Sequence, residues 1–181
     1  TTTIKSMLNL IRPDGGEISY FGKPLAGNET EIKKRIGYST GTVNWYPRKK
    51  IRDIVGVVKK FYDTWDEKSY RRYLEMFALD ENKTASELSE GMKVKYQLTL
   101  ALSHHARLLV LDEPTSGLDP RGMIEIRQTL NDLKRRDLTL LISTHILKEV
   151  SEMCTSMTMI NQGRTVISGD VNTLIHNMAM D

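Results

Sequence analysis

Leu88 to Pro120 reads LSEGMKVKYQLTLALSHHARLLVLDEPTSGLDP, and near its centre four apolar residues, Leu108-Leu109-Val110-Leu111, run directly into Asp112 and Glu113. An uninterrupted apolar run of this length is the pattern of a strand buried on both faces. Two carboxylates emerging at a buried strand tip are costly unless a cation or a reacting group balances them. Magnesium bound to phosphate supplies that balance, with Asp112 holding the metal and Glu113 polarising an attacking water. Taken alone, the run suits a helix cap and a surface carboxylate equally well.

The flanks narrow the choice. Ser116-Gly117-Leu118-Asp119 follows at once, and Asp119-Pro120 opens a helix with Met123, Ile126, Leu130 and Leu133 facing inward. A second buried strand is expected over Leu138–Ile142, and it leads into Ser143-Thr144-His145. A histidine at a strand tip can contact a terminal phosphate and sense its loss; alone, it reads as a packed or surface residue. Upstream, Ser89 caps a helix expected to reach about Ser103. Helix N-termini attract anions, Ser89 adds a hydroxyl, and Gly91 permits close backbone approach. By itself this is an ordinary serine cap.

Farther out, residues 2–11 predict a short helix stopped by Pro13-Asp14-Gly15-Gly16. Short strands are expected at Glu17–Phe21 and Ile36–Tyr38. Two amphipathic helices follow, one carrying Ile51, Ile54, Val55 and Val58, the other Tyr70, Tyr73, Leu74 and Phe77 with Asp66 as its cap. They form a small helical insertion whose aromatic stripe reads as core packing. A hairpin is expected around Asn161-Gln162-Gly163, then a last helix over about Asn172–Met178. Strands alternating with helices imply an α/β architecture, a mainly parallel sheet covered by helices on both faces. Ligands of such sheets sit at the carboxyl ends of the strands, where the polar residues collect here.

The 181 residues carry a net charge of +3, with 39% hydrophobic and 27% charged residues. That balance is too weak to make nucleic acid the main partner. The one basic cluster, Arg48, Lys49, Lys50 and Arg52, reads as a solvated helix start, with contact to a membrane surface or a partner as the alternative. A single cysteine, Cys154, excludes an internal disulfide and fits a reducing compartment. His104 and His105 cannot present both rings to one helix face, so they are read as structural or surface residues rather than metal ligands. No apolar run approaches the ~18 residues of a membrane span, and no signal peptide is visible.

Taken together, these motifs resemble the nucleotide-binding subunit of an ABC transporter, a P-loop NTPase of ABC type, along essentially the whole chain. Leu88–Met92 resembles the signature motif, Leu108–Glu113 resembles Walker B with the catalytic glutamate, Ser116–Asp119 the D-loop and His145 the switch histidine. Within the family, LSEGMK, YPRKK and KKFYDTWDEKSYRRYL are similar to bacterial exporter ATPases of the YtrB type. The resemblance implies ATP and Mg2+ as ligands, with Glu113 and His145 catalytic and Thr1 and Asp112 on the metal. It assigns Thr1, Thr2, Ser89, Gly91 and Asp119 to nucleotide binding. Thr1 would close the phosphate loop and Thr2 would sit near the α-phosphate. The glycines and lysine of that loop, and the first strands, would then precede Thr1, which implies a chain cut in mid-motif.

The same resemblance implies two subunits, in a homo- or heterodimer, that sandwich two ATP molecules. Ser89 and Gly91 of one chain would face the nucleotide of the other. A transmembrane permease would be the driven partner, nucleic acid is not expected, and the subunit would be cytoplasmic and peripheral at the inner face of the membrane. Residues 1–42 would complete the N-terminal catalytic part, 43–88 a helical subdomain, and 89–181 the signature helix with the C-terminal catalytic part. Two alternatives stand beside ATP-driven transport: a non-transport ATPase switch of the same class, and a catalytically inert piece that binds ATP very weakly.

Two positions depart from the family pattern. Gly41 stands where a Q-loop glutamine is expected, so no Q-loop chemistry is carried over to it. Glu90 stands where glycine is more usual; it is expected to point away from phosphate, offset by Lys93 and Lys95.

Overall fold

The computed structural model describes residues 1–40, 46–134 and 138–178. Gly41, with the Thr42 that follows it, therefore lies outside the described residues.

The chain opens with α1 (Thr2–Met7), shorter than the 2–11 helix its periodicity predicts. Ile4 and Leu8 are buried, but Asn9 takes φ 54°, which ends the helix and leaves Leu10 and Ile11 exposed. The expected Glu17–Phe21 strand shrinks to β1 (Ser19–Tyr20), which turns through Phe21 and Gly22, both at positive φ, into β2 (Lys23–Pro24). Two positive-φ residues give the hairpin turn whose twist matches the flanking strands. A short α2 (Glu29–Lys33) precedes β3 (Ile36–Ser39).

The helical insertion comprises α3 (Ile51–Val58), continued by a 3-10 turn at Lys59–Phe61, and α4 (Glu67–Met76). Lys50 stands at the N-cap of α3, so the basic cluster is an exposed helix start. The Asp66 side chain accepts from the backbone N–H groups of Lys68 and Ser69, capping α4 as its position predicts. Ile51, Ile54, Val55, Tyr70, Tyr73 and Phe77 pack into one core. Then come α5 (Glu90–Ser103), capped by Ser89, β4 (Leu108–Asp112), α6 (Pro120–Lys134) and β5 (Thr139–Ser143). The chain closes with α7 (Leu147–Met153), β6 (Ser156–Asn161), β7 (Arg164–Asp170) and α8 (Val171–Met178). The β6–β7 hairpin turns at Gln162-Gly163.

The strands β3, β4 and β5 form a parallel sheet in that order, with Ser39 opposite Leu111 and Asp112 opposite Ser143. Alternation along β4 divides its side chains between two cores. Leu108 and Val110 meet Ile4, Leu8 and Ile32 on one face. Leu109 and Leu111 meet α5 and α6 on the other. All five residues of β4 are buried, and each buried apolar side chain contributes roughly 1.5–3 kcal/mol. The expected full burial of the second strand is not found: β5 is only half-buried, because among the described residues it pairs with β4 alone.

His104 is buried, its ring stacked on Tyr62 at 3.8 Å and 10°, whereas His105 is exposed beside Asp66 at 3.5 Å. Burial pushes the His104 imidazole down to about 4, so it is neutral at pH 7. Among the described residues, no helix is long and apolar enough to cross a membrane.

Gly37 lets β3 press against α5. A Cβ built there would lie 2.3 Å from the Ala101 Cβ and 2.6 Å from a Leu109 methyl. Gly37→Ala is therefore expected to lower unfolding free energy by about 1–3 kcal/mol in denaturant titrations. Unchanged stability would mean that α5 can move away.

Candidate functional site

The register of β3, β4 and β5 builds the site. Asp112 is two residues beyond Val110 and therefore faces the α1 side of the sheet. There the Thr1 hydroxyl donates to Asp112 Oδ1 at 3.2 Å. From the neighbouring strand tip the Ser143 hydroxyl donates to the same oxygen at 2.5 Å. Ser143 also accepts from the Glu113 N–H at 3.2 Å, so one hydroxyl holds both acids. The carboxylate of Asp112 is buried but satisfied, which is what makes its burial tolerable.

Glu113 leaves the strand with φ 51°, the left-handed region, which interrupts the alternation and turns its side chain across the sheet end. Its Oε2 meets His145 Nδ1 at 3.0 Å. The Glu113 side chain is 32% exposed and that of His145 76% exposed, so the pair sits at the rim.

A cleft of about 350 Å³ opens here, between Thr1 and Lys5 of the first turns, Tyr38 and Thr40 at the end of β3, and Asp112, Glu113 and Ser116 after β4. Among the described residues no cluster of three or more His, Cys, Asp or Glu could hold a metal alone. A hydroxyl and a carboxylate side by side do fit a hard cation that takes its remaining oxygens from phosphate and water, as Mg2+ does. Thr1 and Asp112 are that pair, and Lys5 adds a positive charge to the same cleft.

Other sequence-predicted residues lie apart from this cleft. Thr2 is exposed in the first turn of α1. Ser89 Oγ accepts from the Met92 N–H at 3.3 Å, capping α5. Asp119 Oδ1 accepts from the Gly122 N–H at 2.7 Å, capping α6. The two helix starts meet through Leu118: its Cδ2 lies 3.9 Å from a Cβ built on Gly91, and its Cβ 3.5 Å from one built on Gly122. Glu90 is held by Lys93 at 2.6 Å. Lys95 does not join them; it reaches Glu125 on α6 instead, because a helix places its side chain one face away from Glu90.

Sequence reasoning missed Lys5, Tyr38 and Ser143 as lining or organising residues. Only the strand register could have found Tyr38: it pairs with Val110, so its ring lies on the same face as Asp112. Burial and the nearby Asp112 charge both raise the Tyr38 phenol, which therefore stays protonated and a donor at neutral pH. Its hydroxyl is shielded and has no hydrogen-bond partner among the described residues. Leaving such a group unpaired costs stability. Tyr38→Phe is expected to raise the unfolding free energy of ligand-free protein by about 1 kcal/mol in denaturant melts; a loss of that size would mean the hydroxyl has a partner.

A family profile described as "ABC transporter" matches residues 1–116. Bacitracin transport ATP-binding protein BcrA of Bacillus licheniformis is 35% identical over 167 residues, covering 91% of this chain and 55% of that protein. Nod factor export ATP-binding protein I of Burkholderia lata is 34% identical over 182 aligned positions, covering 98% of this chain and 60% of that protein. The chain spans 55% to 66% of the length of the curated relatives it matches. A solved ATP-binding subunit of an ABC transporter superposes with a TM-score of 0.83 at 26% identity, covering 99% of this chain and 77% of that one. CbiO1 from Clostridium perfringens, at 22% identity and a TM-score of 0.79, shares the fold.

Proposed function

Because this chain belongs to the ABC transporter family of ATP-binding proteins, we propose that it binds and hydrolyses ATP to drive a membrane transporter. The observation that carries the reading is the strand-tip cluster: Asp112 and Glu113 at the end of one buried strand, Ser143 and His145 at the end of the next, and Thr1 across the cleft. In this reading Thr1 and Asp112 hold Mg2+, which neutralises charge on the phosphate oxygens. Thr2, next to Thr1 but exposed outside the cleft, would serve the α-phosphate. Glu113 orients the attacking water and draws on its proton, through the carboxylate oxygen that His145 leaves free. His145, in contact with Glu113, reaches toward the terminal phosphate.

A second subunit closes the site in this proposal. Its Ser89 and Gly91, at the positive end of α5, meet the nucleotide bound by the first chain, and Asp119 carries the D-loop across the seam. The names of its relatives, bacitracin transport and Nod factor export, favour a transmembrane permease as the driven partner. The subunit is then peripheral to the membrane. Residues 1–42, 43–88 and 89–181 divide into an N-terminal catalytic part, a helical subdomain, and the signature helix with the rest of the catalytic part.

Glu113→Gln in the complete subunit tests the assignment. It keeps the side-chain shape but removes the base. ATP turnover is expected to fall by about 10² or more, while nucleotide binding and ATP-induced dimerisation, followed by light scattering, persist. Undiminished turnover would remove Glu113 from the chemistry.

A further inference from the structure

Besides Asp112, Glu149 is the one fully buried acid among the described residues, 1% exposed in the first turn of α7. It is not among the residues that line the cleft. A carboxylate is not buried cheaply, and its partners show what it holds. One oxygen accepts from the Thr115 hydroxyl, the other from the Thr144 hydroxyl at 2.7 Å. Thr115 lies two residues after Glu113, and Thr144 immediately precedes His145. The carboxylate therefore ties the loop after β4 to the loop after β5, the two loops that carry Glu113 and His145.

The surrounding bonds leave each loop little freedom. Thr144 Oγ1 accepts from the Ile146 N–H at 3.1 Å while donating to Glu149, so the peptide bearing His145 is bracketed from both sides. The Leu118 N–H donates to the Thr115 carbonyl at 3.2 Å, and the Ser116 N–H to the Glu113 carbonyl at 3.0 Å, so the turn after Glu113 hangs on Thr115. By contrast, the Glu113–His145 pair is a rim contact with the histidine 76% exposed. Exposed pairs attract too weakly to hold two long side chains in one geometry. The spacing of the pair must be set by the loops that carry it.

We propose that Glu149 is a positioning residue: its two threonine bonds set the spacing of Glu113 and His145 and make the Ser116–Asp119 turn move with the His145 loop. The geometry stands on its own; its consequence for turnover rests on the ATPase reading above.

The test uses the full chain with Thr144→Val, Thr115→Val and Glu149→Gln, and with Thr144→Ser as the variant that keeps the hydroxyl. The first readout is the NMR signal of the His145 imidazole, compared with and without Glu113→Gln. In the unaltered background Glu113→Gln is expected to shift that signal. In Thr144→Val the shift is expected to be lost; in Thr144→Ser, and in Glu149→Gln, whose amide can accept from one threonine hydroxyl and donate to the other, it is expected to be retained. The second readout is steady-state ATP turnover of the complete subunit, where kcat is expected to fall about ten- to a hundredfold in Thr144→Val and Thr115→Val. KM for ATP should stay within about twofold, since no nucleotide contact is removed. A folded Thr144→Val protein that keeps the full response of His145 to Glu113→Gln would overturn the proposal, even if its melting temperature drops. Thr144→Val is close to isosteric, so it answers the question if Glu149→Gln fails to fold. Absence of turnover in the unaltered subunit would sink the ATPase reading, and the NMR comparison would still decide the role of Glu149.

Discussion

The arrangement depends on one strand that water does not reach. β4 is buried along all five residues, and its parallel pairing puts Asp112 opposite Ser143. Two acids can stand at the end of such a strand because the chain provides for them locally. Ser143 donates to Asp112 and accepts from the Glu113 backbone, so a hydroxyl does the work that water would do elsewhere. The two cores on either side of the sheet then determine what each acid faces: α1 with Thr1 for Asp112, and the His145 loop for Glu113.

Much of this was legible in the amino-acid order. The apolar run Leu108–Leu111, the serine cap at Ser89, the aspartate cap at Asp66 and the turn at Gln162-Gly163 are local signals, and the structure realises each locally. Elements held together by distant partners were harder to read. The helix α2 is five residues long, with a single buried side chain, Ile32, and α7 packs only seven residues; both are too short to show a clear period. The first helix was overextended because Ile11 fits the helical spacing, yet the positive φ at Asn9 ends the helix before it. β5 reads as fully buried since Leu140, Leu141 and Ile142 are all apolar, but burial depends on neighbours the strand does not itself encode.

The same distinction holds at the site. Asp112, Glu113 and His145 stand in recognisable local contexts. Tyr38 reaches the cleft through strand register and Lys5 through the placement of α1, while Glu149, outside the cleft, bears on it through two threonines 34 and 5 positions away. Apart from the Thr144–Glu149 bond, no local window of sequence contains those relationships. Asp119 shows the converse: a residue with a recognisable motif position also serves as a plain helix cap.

Glu113 carries a further implication. A non-glycine residue in the left-handed region costs roughly 1–2 kcal/mol, and glycine or asparagine would occupy φ 51° with less strain. At this position, folding and chemistry pull in opposite directions. A library screened only for heat resistance would drift toward glycine here and lose the carboxylate, so thermal tolerance gained at the tip of β4 would come from sequences stripped of the acid that the proposed hydrolysis needs.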